Sequence, residues 1–312
     1  MRGSLIQGWS ALSRHKFLFW VGIGMVLSAV VLVPLWLFDP IEILGVSRWE
    51  KPMKFFISIG IFCLTYSWLS AHISRLPRLV YWTGVIIGFS FIMEMIGIAG
   101  AAAFETTSHF NVSNPLASAV WAMMATFVNI IFVSTIVLSV LIIFERQKQL
   151  LLRIGLGLGS SITAVGMGIA FLMTGPTEEQ LNDFQGITGA HAVGVADGGP
   201  GLPLLGWSTV AGDLRVGHFF GLHAIQVAIV LLIIQRYLPI VIRLPLVTVG
   251  LLSYLGFVLI VTGQAIRAEP FIFPSSQTMN QISILAISSI LAFGAMSVAE
   301  NLRQKRRASV GD

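Results

Sequence analysis

Charge is what this sequence has least of. Asp, Glu, Lys and Arg together make up 11% of the 312 residues, against 55% for the apolar types. A soluble domain carries about 25% charged residues, so the composition excludes an ordinary soluble fold. Polar tracts long enough to bury a core of their own are missing too, which argues for a single domain over residues 1–312. Cysteine occurs once, as Cys63, inside an apolar run. Within one chain, a disulfide framework, a CxxC metal pair and a cysteine-rich cluster are therefore excluded. Neither half of the chain reproduces the other's charged or Gly-rich positions, so the inverted repeat of many transporters is not visible. Alternation of polar and apolar residues at every second position, the mark of a barrel strand, is absent from the long runs.

What is present is a succession of apolar runs. A hydrocarbon core of about 30 Å takes about 20 residues of helix, and eight runs meet that length. They lie near residues 17–38, 53–71, 79–104, 116–144, 150–174, 216–235, 246–266 and 281–299. The pattern predicts an all-α, polytopic transmembrane helix bundle in the cell membrane. The first run follows Arg2, Arg14 and Lys16, as in a signal peptide. It is too long for one, and Pro34-Leu35-Trp36-Leu37-Phe38 offers no small-residue cleavage site, so it is read as a permanent span.

Basic residues orient the spans. With the N-terminus cytoplasmic, the inner segments hold Arg2, Arg14, Lys16, Arg75, Arg78, Arg146, Lys148, Arg153, Arg236, Arg243, Arg303, Lys305, Arg306 and Arg307. Only Arg48, Lys51, Lys54, Arg215 and Arg267 remain outside. Cytoplasmic segments carry the excess of Lys and Arg, so both termini are expected inside. The net charge of +5 is then a topology signal and no argument for nucleic acid, and the basic Arg303–Arg307 tail suits anionic headgroups. Acidic residues fall the other way: Asp39, Glu42, Glu50, Glu105, Glu178, Glu179, Asp183, Asp197, Asp213 and Glu269 are all outer, while Glu145, Glu300 and Asp312 are inner.

The longest non-spanning stretch is residues 175–215. Thr177 with Gln180 fits a capping box, which predicts a short surface helix near 178–184. The Gly-rich apolar piece Gly199–Trp207 follows, and a loop of this length and character suits a lid over the outer membrane face. Gly155, Gly159, Gly166 and Gly168 sit in an apolar run with no strand before them, so they read as helix-packing positions and not as a nucleotide loop.

Within this frame Glu94 is the most costly residue. It lies ten residues before Phe104, roughly 15 Å below the outer end of its helix at 1.5 Å per residue. A carboxylate there costs at least ~2.5–3.5 kcal/mol, which points to a proton-handling or ligand-binding acid or, alternatively, to a neutral Glu hydrogen-bonded to a neighbouring helix. The sixth run opens Gly212-Asp213-Leu214-Arg215-Val216-Gly217-His218-Phe219-Phe220-Gly221-Leu222-His223-Ala224-Ile225-Gln226. On a continuous helix His218 and His223 are about 140° apart, so they do not form the i, i+4 pair that clamps one metal, whereas His223 and Gln226 share a face. His109 lies between the third and fourth runs. Glu94, His109, His218 and His223 are thus the candidate catalytic residues. Lys51, Lys54, Asp213, Arg215, Gln226, Gln264 and Arg267 are the candidate ligand-binding ones; taken singly, the four cations among them pair by default with Glu50, Glu105, Asp213 and Glu269. Asn111-Val112-Ser113 matches a glycosylation sequon. His15 and His72 are expected among lipid headgroups, and His191 within the outer loop.

The runs Trp49–Phe55, Ser108–Asn111 and Gly212–Gln226 together resemble a group of uncharacterised multi-span bacterial membrane proteins. The resemblance covers most of the chain and carries no established activity, cofactor or catalytic residue. A second comparison fails. Multi-span amide hydrolases of the alkaline ceramidase type carry an H-x-x-x-H pair with further His, Asp and Ser ligands. Here the spacing from His218 to His223 is H-x-x-x-x-H and no Asp lies within a run, which argues against zinc.

Three functions fit the sequence. The first is a membrane enzyme with an outward acid–base or haem site, acting on a lipid-soluble substrate such as a quinone or a lipid. The second is a carrier or receptor for a small anionic or amphiphilic ligand, held by Lys51, Lys54 and Arg215. The third is a non-catalytic scaffold whose polar groups lock the helices.

Overall fold

A computed structural model describes residues 12–145 and 149–310, the side chains of Ala308 and Val310 excepted. Arg2, Arg146, Lys148 and Asp312, assigned to a side above, fall outside these residues. The protein is 72% helical. Seven of the described helices are long and apolar enough to cross a membrane, and a bent pair makes an eighth if it is counted as one span.

In chain order the elements are α1 (Lys16–Phe38), β1 (Glu42–Ile43), β2 (Val46–Ser47), α2 (Glu50–Ser70), α3 (Pro77–Ala103), α4 (Pro115–Ile143) and α5 (Leu150–Ile169). A 3₁₀ turn, Ala170–Met173, leads to α6 (Glu178–Asn182), β3 (Ala192–Val193), β4 (Gly212–Asp213), α7 (Leu214–Leu222) and α8 (Ala224–Ile234). The last two helices are α9 (Ile240–Ile266) and α10 (Ser276–Val310). Local chemistry sets the helix starts. Pro77 and Pro115 occupy first helical positions, where a missing N–H costs nothing. Asn114 Oδ1 accepts from Ala117 N at 2.9 Å, Asp213 Oδ1 from Arg215 N at 3.0 Å and Ser275 Oγ from Thr278 N at 3.3 Å, each capping a helix. α6 carries the reciprocal Thr177–Gln180 capping box.

The chain packs as two compact units. The first comprises the residues up to Leu141, Phe171–His191 and Val195–Gly206. In it α1, α2 and α3 pack on one another around Leu18, Ile59, Cys63, Tyr66, Leu69 and Ile87, all at most 4% exposed. α4 meets α3 through side chains: Met124 fills the space beside Gly97, and Phe127 sets its edge on Phe89 at 5.8 Å. His15, expected among headgroups, is instead 4% exposed. Its Nδ1 accepts from Leu18 N at 3.2 Å and its Nε2 donates to Tyr81 O at 2.8 Å, so the ring is a helix cap and an interhelical link. A neutral imidazole has one donor and one acceptor, and burial is tolerable because both are used.

The second unit comprises Ile142–Ala170, Ala192–Gly194 and the chain from Trp207 onward. α5 packs against α7, α8 and α9, and α9 against α10. At the α5–α7 crossing Gly166 and Gly221 face each other so closely that a Cβ on Gly166 would lie 2.4 Å from the Gly221 carbonyl carbon. α7 and α8 meet at a 43° bend at His223. A broken helix frees backbone groups that must be paired elsewhere. Thr163 Oγ1 of α5 accepts from Ile225 N at 3.3 Å, and Tyr254 Oη of α9 donates to Phe220 O at 2.7 Å.

Candidate functional site

In the first unit, polar side chains gather at the ends of the helices that the charge pattern predicts to be outer. The α1–α2 connection turns through Leu44 and Gly45, both at positive φ, and closes on Asp39. The carboxylate accepts from Trp49 Nε1 at 2.7 Å, Ile41 N at 3.0 Å and Arg48 Nε at 2.8 Å. These contacts, the Trp49 indole first, hold Asp39 below the usual carboxylate range despite partial desolvation. Lys54 lies 2.8 Å from Glu50 Oε1 and donates to Leu204 O at 3.0 Å, tying α2 to the long loop. Lys51 is half-buried and also engaged.

The α3–α4 connection presents His109. Its Nδ1 is 2.9 Å from Ser108 Oγ, and its ring meets Phe55, Trp121 and Phe110 at centroid distances of 5.7, 5.8 and 6.0 Å. The long loop is stitched to this connection by main-chain bonds: Val112 N donates to Gly186 O and Thr188 N to Phe110 O, each at 2.8 Å. Gln180 holds the next turn, donating to Gly189 O at 3.0 Å and accepting from Gly189 N at 2.9 Å. Asn111, half of the sequon, is 5% exposed. Its amide donates to Thr106 Oγ1 and accepts from Ser113 N and Oγ, so the nitrogen a glycan would need is already used inside the fold.

Two features stand out chemically. His191 Nδ1 lies 2.6 Å from Asp197 Oδ2, in the same unit, and its ring rests 5.0 Å from Phe110. Nothing in the sequence singled out this pair; its only trace was two titratable residues in an otherwise apolar, Gly-rich loop. Glu94 is 6% exposed on α3, within reach of the Val128 backbone on α4, and its Oε1 has no hydrogen-bond partner among the described residues.

In the second unit Asp213 is 1% exposed and saturated: it accepts from Ser208 N at 2.8 Å, Arg215 N at 3.0 Å, Arg215 Nε at 2.9 Å and Arg215 Nη2 at 2.6 Å. Trp207 is buried among Phe219, Phe220 and Phe271. His218 Nδ1 sits 2.8 Å from Gly166 O, fastening α7 to α5. His223, at the bend, hydrogen-bonds Gln226 in the first turn of α8. The angle computed for a continuous helix does not carry across the bend. Gln264 donates to Pro270 O at 2.8 Å. Arg267 Nε lies 2.8 Å from Glu269 Oε1, and Thr278 Oγ1 donates to Glu269 Oε2 at 2.7 Å. Desolvation raises Glu269, but bonds from Arg267, Thr278 and Ser275 outweigh it and hold the carboxyl down to about 2.

Arg48, Lys54, Arg215 and Arg267 thus each face a carboxylate at 2.6–2.8 Å. Among the described residues, no three His, Cys, Asp or Glu side chains gather as metal ligands. Comparison with protein-family models, curated proteins and solved structures finds no match for this chain.

Proposed function

We propose that the chain is a multi-pass protein of the cell membrane, termini cytoplasmic, that performs acid–base chemistry from its outer side on a lipid-soluble substrate. Glu94 is its proton-handling group. Membrane insertion is supported by the apolar surface: on α10 Ile284, Ile287, Ile290 and Leu291 are 59–71% exposed, a surface suited to lipid and unsuited to water. Near helix ends Phe38, Trp82 and Phe104 in the first unit and Tyr237 in the second are 60–84% exposed, as in interfacial aromatic belts.

The observation that carries the acid–base reading is the Glu94 Oε1 without a hydrogen-bond partner among the described residues. A carboxyl retained only to lock helices would have both oxygens hydrogen-bonded, since a buried unsatisfied polar atom costs about 1–3 kcal/mol. An acid that must take up and release protons cannot be tied down in that way. The paired cations weigh against an anion carrier, because each already faces a carboxylate.

The test is a pH-difference infrared spectrum of the purified protein. A carboxyl C=O band that is lost in Glu94→Gln, with helix content unchanged, is the expected result. Spectra identical in wild type and variant would overturn the assignment. Glu94→Leu, which keeps volume and removes the proton site, should lose the same band. A Soret band in the visible spectrum would move the reading to haem.

A further inference from the structure

We propose that one end of the second unit is a headgroup site for an anionic phospholipid of the phosphatidylglycerol type, formed by Arg153, Arg236 and Arg243 and extended by the basic end of α10. The site rests on membrane insertion and is independent of Glu94.

Antiparallel helix crossings bring these residues to the same end. Between α5 and α8, a Cβ on Gly159 would meet Ala228 at 2.6 Å and one on Gly155 would meet Leu232 at 2.8 Å. Arg153 and Arg236 lie just past the second crossing, before Gly155 on α5 and after Leu232 in the turn that follows α8. Arg243 folds back onto the same corner, its Nε donating to Leu238 O at 2.9 Å. α9 and α10 are antiparallel as well: a Cβ on Gly256 would meet Leu285 at 2.6 Å, and Ser253 Oγ lies 2.6 Å from Ser289 Oγ. Followed in that direction, α9 leads to Arg243 and α10 to Arg303. At 1.5 Å per residue, the helical Arg303–Arg307 run stands roughly 6–12 Å beyond the level of Arg243.

Charge is treated oppositely at the two ends of this unit. At the far end Arg215 and Arg267 each face a carboxylate, at 2.6 and 2.8 Å. Arg153, Arg236, Arg243 and the Lys305–Arg307 side chains make no ion pair among the described residues. The described carboxylates nearby do not neutralise them: Glu145 is buried and engaged, while Glu300 accepts from Gln304 at 2.8 Å and lies 3.8 Å from Arg303. Guanidinium groups present paired N–H donors that match phosphate oxygens. Beside these cations Ile234, Tyr237 and Ile240 are 44–84% exposed. Apolar surface that continues directly from a basic corner fits a phosphate carried on acyl chains, and a free phosphate ion would leave it uncovered. Basic groups between and beside membrane helices attract anionic headgroups in this way.

The full chain in non-ionic detergent, titrated with phosphatidylglycerol and followed by native mass spectrometry, tests this. Phosphatidylglycerol should be retained more tightly than phosphatidylcholine of the same chain length, and excess inorganic phosphate should not displace it. Arg153→Gln, Arg236→Gln and Arg243→Gln should each weaken its binding about fivefold. Equal retention of the two lipids, displacement by phosphate, or a triple variant that binds as wild type does would each overturn the proposal. The lipid comparison uses the unaltered protein, and Arg153 is exposed, so the proposal stays open to refutation even where the triple variant does not fold. Retention of the chain in phosphatidylcholine liposomes after an alkaline wash reports insertion separately. Failure to insert is thereby distinguished from insertion without a headgroup preference.

Discussion

Glu94 and Glu269 show how differently one side chain type can be treated in one chain. Glu269 accepts from Arg267, Thr278 and Ser275, whereas Glu94 has an oxygen that meets none of the described donors. The first is a structural carboxylate with a predictable acid response. Its folded value of about 2 lies below the ordinary 4.5, so its contribution to stability is fully present above about pH 4.5 and is lost as the pH falls toward 2. Glu269→Gln should therefore lower the melting temperature most near neutrality, and the gap from wild type should close between pH 4.5 and 2. A gap that stays constant over that range, measured by thermal unfolding in detergent, would show that the Arg267 contact does not hold the charged form.

At the scale of elements, the decisive contacts are those where helix backbones touch. α5 carries two glycines two residues apart with opposite surroundings. A Cβ at Gly166 would meet the Gly221 backbone at 2.4 Å, whereas a Cβ at Gly168 meets nothing within 4 Å. Gly166→Ala should thus destabilise by about 1–3 kcal/mol through overpacking. Gly168→Ala should be neutral or stabilise by up to about 1 kcal/mol, since alanine is the better helix former. Equal effects in denaturant unfolding would mean that α5 and α7 do not cross at Gly166. Because His218 bonds to the Gly166 carbonyl, the same crossing sets the orientation of that histidine. The bend at His223 belongs to this contact too: Thr163, one turn away on α5, accepts the amide that the break releases.

For the whole molecule, the charge pattern makes a claim that a membrane experiment can check. Fourteen of the nineteen basic residues lie in the segments expected inside. Reporter fusions after Lys148 and after Asp197 should report opposite sides, the first cytoplasmic. The same side for both would break the eight-span reading. The fusion after Asp197 also interrogates the long loop, whose 186–189 stretch is bonded to Phe110, Val112 and Gln180 and whose Leu204 carbonyl is bonded by Lys54.

The long apolar runs by themselves determined the helices, because a hydrophobic stretch of membrane length has few other ways to satisfy its backbone. The Thr177–Gln180 cap and the cost of Glu94 were legible for the same reason, being local: they depend on residue type and on neighbours within a turn or along one helix. What only the tertiary structure decided was pairing. His15 could not be known as a buried cap without Tyr81, 66 residues away. The bend at His223 depends on Thr163, which no periodicity within Leu214–Ile234 reveals. His191 and Asp197 are near in sequence, yet nothing in a Gly-rich loop dictates that their side chains meet. The first two contacts are made where separate segments converge, and sequence spacing carries no distance between them.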